Sequence, residues 1–578
     1  MGLKEKFLES SKKVYADKAK HPEDTLRLVE ERLKASGLML YQGLKRVDKG
    51  RLGIPVYMSL YDVEGRKITG KFKQMGKGAT AELAKASALM ELVERISIFQ
   101  FLRNVPEKGL LSSFNELSEK TMPFEIFLSS VEDKEPELRD IAIEFLKSVP
   151  FYFVPAFWVK EKKEVLVPFH WFWFLYEYSG ASAGNTYAEC SVQAICEVIE
   201  RHVSALFIRK AEPLPEVIPD DLGKEAKELL DKFLNLGIKL WIRDMTLGMP
   251  VPTIAVMAMD PSTFPKRSEI VFTAGTATSP ERALIRTLTE VAQLAGDFDT
   301  EGRYEESGLP KYTSLEEAEL MVKAKGKVSL KELPDISSQD HAEELKNLGA
   351  ALSKKGFEVF LIDVASPVLE IPAVYACMPG AFFRERTGIS YLYQLSRCVA
   401  NFLPLKLKLE ILEKLCSKVK DRYYLWTYLG NAYKEKGDFK AAEGAYQKAL
   451  SFKAPPEDLV AIYTHLADLY ARREEYEKVI ATVEKALSVG EVPELYNLLG
   501  RAFYKRGEYK EAMECFLRAT ELDPSSAVDY ANVGYCLKAL GLLPAAEVYF
   551  RKALILNPDL TMAKRGLEYC KEILHSEN

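Results

Sequence analysis

The sequence predicts an α+β domain followed by an all-α solenoid of tandem helical repeats. Three observations carry that expectation. Residues 1–400 alternate helix-like and strand-like stretches with no internal period, whereas the last third repeats in steps of 37, 33 and 34 residues. Two helical segments 106 residues apart also share one pattern of apolar and charged residues, Ala88 to Arg95 and Ala194 to Arg201.

In the first domain, helices are expected over Pro22 to Ala35, Thr80 to Phe101, Tyr187 to Phe207 and Pro280 to Ala295. Apolar residues recur there at i, i+3 and i+4. Strands are expected over Ile54 to Tyr61, Tyr152 to Pro155, Leu240 to Arg243, Val251 to Ala258, Phe357 to Val364 and Ala373 to Ala376, which are rich in β-branched and aromatic residues. Such mixing marks an α/β or α+β domain.

The segments sharing a pattern each set two glutamates three residues apart, followed at once by an arginine: Glu91, Glu94, Arg95 and Glu197, Glu200, Arg201. Positions i, i+3 and i+4 lie on one helix face. The polar stripes extend to Ser87 in the first helix and to Asn185, Glu189 and Gln193 in the second. A third helix, opened by Pro280, places Arg286, Glu290 and Gln293 at i, i+4, i+7. A glycine turn precedes each helix, at Gly76-Lys77-Gly78, Ser182-Ala183-Gly184 and Ala274-Gly275-Thr276. Glycine permits close backbone approach, and helix N-termini favour anions. None of the three turns has phosphate-loop spacing.

Gathered together, Glu91, Glu94, Glu189, Glu197 and Glu200 would repel one another without a counter-charge. A hard divalent cation with oxygen ligands, Mg²⁺ above all, resolves that repulsion and leaves sites for phosphate oxygens. Arg95, Arg201 and Arg286 can meet phosphates bidentately. The pattern therefore implies an ATP·Mg²⁺ site built on acidic helices. One such stripe alone would be an ordinary solvated face; three with matched spacings favour a site. His170, His202, Cys190 and Cys196 lie nearby and are expected to be structural, the thiols buried and inert.

Leu403 to Val419 reads as a joining helix, with domains over 1–400, 401–420 (linker) and 421–575. In the last of these, Leu429-Gly430-Ala432-Tyr433 is echoed at Leu466, Leu499 and Val533, with Ala449, Ala486, Ala519 and Ala553 further on in each unit. The pattern resembles the tetratricopeptide repeat, as four units and a closing helix, Leu560 to Ile573. Such arrays bind proteins or mediate self-association.

The net charge of −5 over 578 residues gives no footprint for nucleic acid. No apolar run is long enough for a membrane span, and no secretory leader is evident at Met1-Gly2-Leu3-Lys4. Eight cysteines without a CxxC pair fit a reducing cytoplasm.

The stretches GKGAT…ASALMELVERIS, SAGNTYAECSVQAICEVIERH and TAGTATSPERALIRTLTEVAQ resemble the three signature segments of the YcaO family over roughly residues 18–385. The resemblance implies Mg²⁺-ATP-dependent phosphorylation of a peptide or protein backbone amide. The outcome would be a thioamide, an azoline, or support of ribosomal protein methylthiolation. It implies Mg²⁺ ligation by Glu91, Glu94, Glu189, Glu197 and Glu200. Nucleotide contacts map to Lys18, Thr25, Ser87, Asn185, Arg201, Arg286 and Glu290. A sulfur-donor or methylthiolation partner and a homodimer are further implications. Many cyclodehydratases of the family end in a Pro-x-Pro-x-Pro tail that enters the active site. This chain ends Leu574-His575-Ser576-Glu577-Asn578, so azoline formation by that route is not expected. The alternative reading is a non-catalytic nucleotide-binding scaffold that recruits a modification complex through its repeats.

Overall fold

The computed structural model describes residues 2–300, 309–383 and 387–576; Glu577 and Asn578 lie outside that range. The chain forms two compact units, Met1–Gln394 and Leu395–Asn578.

The first unit carries fourteen strands among the described residues: β1 Tyr41–Arg46, β2 Val56–Tyr61, β3 Lys73–Lys77, β4 Leu110–Ser112, β5 Phe151–Trp158, β6 Lys163–Pro168, β7 Ala181–Ala183, β8 Glu216–Ile218, β9 Lys239–Asp244, β10 Thr253–Met259, β11 Val271–Thr276, β12 Lys327–Ser329, β13 Phe360–Asp363 and β14 Ala373–Cys377. They form three sheets, ordered β1-β2-β3, β11-β10-β9-β8-β12 and β4-β5-β13-β14-β7, with β6 pairing β5. All pairings are antiparallel except β8 with β12. A short hairpin joins β5 to β6, whereas β2 reaches β3 through a helix, Val63–Thr69.

The first acidic helix, Ala81–Lys108, runs past the expected end at Phe101 and takes Pro106 into its last turn. The second, Tyr187–Lys210, begins at its expected start and runs past Phe207, and the third site helix, Pro280–Ala295, keeps both expected bounds. Each buries its apolar stripe in a different core. Leu89, Leu92, Val93 and Ile96 pack with Val29 and Leu33 of the Pro22–Ala35 helix. Ile195, Val198, Ile199 and Val203 pack with Met257, Phe272 and Leu361. Ala283, Leu284, Leu288 and Val291 pack on Ile254 and Val256. Each fully buried Leu, Ile or Val contributes about 1.5–3 kcal/mol. These three separate anchorages leave the polar stripes free to be aimed elsewhere. The apolar run after Val165 splits into β6 and a helix, Phe169–Tyr176, packed on all sides by aromatics. Among the described residues no helix is long and apolar enough to cross a membrane.

The second unit is entirely helical. After Leu405–Lys418 come four antiparallel pairs, from Tyr423–Lys436 with Phe439–Leu450 to Ala527–Ala539 with Leu543–Leu556, then Thr561–Ser576. The small residues sit where neighbouring helices press closest. A Cβ on Gly430 would lie 2.6 Å from the Tyr446 ring, and one on Gly534 2.7 Å from Phe550.

Candidate functional site

Strand β3 delivers its last residue, Lys77, to the start of the first acidic helix, where Thr80 accepts a hydrogen bond from Leu83 N–H and caps it. Gly76 is required by packing. A Cβ there would lie 2.0 Å from Ala88 N and 2.5 Å from Ala84 O. The third site helix repeats the device: a Cβ on Gly275 of β11 would lie 2.9 Å from Thr287 N and 3.1 Å from Ala283 O. The close approach these glycines allow is thus to the chain's own helices. The turn before the second helix is looser, Gly184 facing Cys190 at 3.1 Å, and Thr186 caps that helix through Glu189 N–H.

The polar stripes of the three helices converge. Arg95 meets Glu91 Oε1 at 2.6 Å and Glu94 Oε1 at 3.2 Å, and its guanidinium stacks 4.7 Å above the Tyr178 ring. Arg201 lies 3.8 Å from Glu197 Oε1 and 3.6 Å from Glu200 Oε1. The backbone N–H of Thr276, at the end of β11, donates to Glu200 Oε2 at 3.2 Å. From the third helix, Arg286 donates to Gln193 of the second, and Glu290 pairs with Lys77. Side chains thereby tie β3 to the third helix and the third helix to the second, and the Thr276 backbone ties β11 to the second.

The charges bear on one another electrostatically. Burial, Glu91 and Glu197 push the Glu94 carboxyl well above the usual carboxylate range, against the pull of Arg95 and Arg286. Burial likewise raises Glu197; Arg201 and Arg95 oppose the shift, while Glu200 and Glu91 add to it. Burial works against the charge on Arg95, but Glu91, Glu94 and Glu197 hold it more firmly protonated than a free arginine. Lys77 is pushed down to about 7 by burial and by Arg286, despite Glu200 and Glu91 nearby.

A second group lies at the N-terminal turn of the second helix. Thr25 donates to Asn185 Oδ1 at 3.0 Å, Asn185 donates to Glu189 Oε2 at 3.2 Å, and Ala19 N–H donates to the same oxygen at 3.2 Å. Lys18 is adjacent, its ammonium 3.6 Å from Asp17. Burial would raise the Asp17 carboxyl, but Lys18 and Arg282 hold it well below the usual carboxylate range. Glu189 is therefore set apart from the other four glutamates, roughly 12 Å along the helix from Glu197 at 1.5 Å rise per residue. Ser87 lies half-buried one turn before Glu91.

Among the described residues no three His, Cys, Asp or Glu side chains close around a single point. Glu91, Glu94, Glu197 and Glu200 instead lean on Arg95 and Arg201. The donor chemistry nonetheless fits a hard cation. It is all carboxylate oxygen, and the burial and mutual repulsion that raise Glu94 and Glu197 are what a divalent ion relieves.

Lys77, Tyr178 and the Thr276 N–H carry no periodic signal; only the fold brings them to the acidic stripes. His170 and His202 are both buried. Burial lowers them to about 3 and about 4, and His202 Nδ1 accepts from Phe382 N–H at 2.9 Å. Cys196 is buried and raised to about 12 by desolvation, and Cys190 is raised in the same way.

A family model described as YcaO cyclodehydratase, ATP- and Mg²⁺-binding, matches residues 75–382. Tetratricopeptide-repeat models match 423–455 and 493–526. The chain is 27% identical over 377 residues to an uncharacterized protein of Methanothermobacter thermautotrophicus, covering 63% of this chain and 94% of that one. It is 28% identical over 347 residues to the Escherichia coli ribosomal protein S12 methylthiotransferase accessory factor YcaO, covering 53% of this chain and 56% of that one. A heterocyclase solved in complex with substrate and cofactor aligns with a TM-score of 0.54 at 20% identity, over 66% of this chain and 55% of that one. The chain thus spans little more than half the length of the latter two proteins.

Proposed function

The chain belongs to the YcaO family, and from that premise we propose that it uses Mg²⁺ and ATP to activate a backbone amide of a peptide or protein. The observation that carries this reading is the meeting of Lys77, Glu91, Glu94, Arg95, Glu197, Glu200, Arg201, Arg286 and Glu290 in one partly buried, charge-dense cluster.

In the proposed reaction the amide oxygen attacks the γ-phosphorus of ATP and ADP leaves. A nucleophile then adds to the activated carbon and inorganic phosphate departs. With an external sulfur donor the product is a thioamide; with a neighbouring Ser, Thr or Cys it is an azoline. The protein's part in phosphoryl transfer is positioning and charge neutralisation. Bound Mg²⁺ would supply compensation for the phosphoryl charge. Glu91, Glu94, Glu197 and Glu200 are its proposed ligands, with Glu189 as a further oxygen at the helix N-terminus. Arg201, Arg286 and Lys77 offer cations to the phosphates, and their present partners Glu197, Glu200, Gln193 and Glu290 keep them oriented. Lys18, Thr25, Ser87 and Asn185 line the approach for the rest of the nucleotide, and Glu290 completes the set. A cytoplasmic location is consistent with eight unpaired thiols. The repeats would recruit the polypeptide substrate, a methylthiolation partner or a second copy of the chain.

The test is ATP turnover by the purified chain, with candidate polypeptides present, against Glu91→Ala and Glu197→Ala. The reading expects turnover in the parent and at least a hundredfold loss in each variant. A chain that neither binds nor hydrolyses Mg²⁺·ATP refutes it. Binding without hydrolysis, unchanged by any added polypeptide, supports the scaffold alternative.

A further inference from the structure

A concavity in the first unit is lined by no residue of the acidic helices. It is a cleft of about 490 Å³ whose lining includes Phe114, Met122, Phe124, Trp158, Lys147 and Lys163. Its floor is apolar: Phe114 and Trp158 are 6% and 8% exposed and Met122 is fully buried. The two lysines are exposed and sit over aromatic faces, Lys147 at 5.0 Å from the Phe124 ring and Lys163 at 5.1 Å from Trp158. Among the described residues neither lysine is ion-paired, and Glu119 is the one acidic residue lining the cleft.

The cleft runs beside an open sheet edge. Strand β6 pairs with β5 on one side only, with Leu166 opposite Pro155 and Glu164 opposite Phe157. Pro155 has no N–H to give, and Leu166 O instead accepts from Met122 N–H at 2.9 Å, on the side away from β5. Glu164 has the same parity, so its N–H and C=O also face outward. Among the described residues no backbone partner meets them. The short Thr121–Met122 segment covers Leu166 and stops there.

We infer that this cleft seats an extended acidic segment of the polypeptide substrate, added as a strand along β6. Its backbone pairs with Glu164, a large apolar side chain enters the Phe114–Phe124–Trp158 floor, and flanking carboxylates meet Lys147 and Lys163. Open strand edges recognise peptides through their main chain while pockets read alternate side chains. The excess of lysine over glutamate in the lining selects the sign of the ligand. The inference rests on the proposed polypeptide substrate, yet it concerns a surface separate from the nucleotide cluster.

The test uses the full chain and a fluorescein-labelled probe, acetyl-Glu-Val-Phe-Glu-Val-Glu, read by anisotropy. A counterpart with lysine for each glutamate and a copy N-methylated at alternate residues serve as comparisons. The inference expects the acidic probe to bind at least tenfold tighter than either. The double reversal Lys147→Glu with Lys163→Glu should invert the preference between acidic and basic probes. Phe124→Ala should weaken the acidic probe about tenfold. Equal binding of the acidic and basic probes, full binding of the N-methylated copy, or no binding by the acidic probe overturns it. Melting with and without Mg²⁺·ATP is measured in parallel. Loss of that shift in the parent chain would refute the nucleotide reading alone, whatever the peptide result.

Discussion

Replacing Glu94 with glutamine should stabilise the ligand-free protein while abolishing its response to Mg²⁺·ATP. Glu94 is 9% exposed. Its carboxyl is raised by burial and by Glu91 and Glu197 more than Arg95 at 3.2 Å lowers it. Near an effective dielectric of 20, a like-charge neighbour costs on the order of 2–4 kcal/mol, and the lost Arg95 pairing offsets much of that gain. A net stabilisation of about 1–2 kcal/mol follows. The sign with pH is definite. A carboxyl raised in the folded state gives stability that is fully present below about 4.5, its unfolded value, and is lost as pH rises through the folded value. The advantage of Glu94→Gln should therefore be largest at pH 8 and vanish near pH 4. In the parent, nucleotide at a hundred times its dissociation constant adds about 2.7 kcal/mol, a rise of several degrees in Tm for a domain of this size. The variant should show none of that rise. A scan of Tm against pH, with and without Mg²⁺·ATP, reads both effects. If Glu94→Gln melts lower than the parent at pH 8, or keeps the nucleotide shift, the electrostatic account of the cluster is wrong.

Two further outcomes follow from the same contacts. Gly76→Ala puts a Cβ 2.0 Å from Ala88 N, against backbone that cannot turn aside; it should cost about 2–3 kcal/mol and weaken nucleotide binding by displacing Lys77. Melting and calorimetric titration would show this, and a cost under about 0.5 kcal/mol would deny the strand–helix clamp. His170 is lowered to about 3 by burial, so the stability it gives is present above about 6.5 and lost as pH falls toward the folded value. At pH 4 the loss is about 3 kcal/mol, and His170→Phe should flatten it. Tryptophan fluorescence in denaturant follows the relevant unit, since four of the five tryptophans, Trp158, Trp171, Trp173 and Trp241, lie there.

Periodicity made the helices legible because each buries a continuous stripe: Leu89, Leu92 and Ile96 could be placed inside from spacing alone. Repeat glycines such as Gly430 and Gly534 were legible for the same reason, the small residue recurring opposite the same aromatic position. The stripe of Glu91, Glu94 and Arg95 was equally visible as one face. Its partners were not, since Lys77 reaches Glu290, and Thr276 N–H reaches Glu200, across long stretches of chain that only sheet packing closes. Spacing also could not show that Glu189 turns to Asn185 and Ala19, leaving the four remaining glutamates to share two arginines. The cleft beside β6 had no sequence signature, because an open strand edge is a property of neighbours.

The Lys77–Glu290 and Thr276–Glu200 links join parts of the chain that are remote in order, and loop closure between such parts comes late and slowly in folding. Any fragment that holds these groups in register must span at least residues 77–290. Capacity to capture nucleotide should thus emerge only with the last cooperative step of assembly, which makes ligand retention a built-in report that the unit has finished folding.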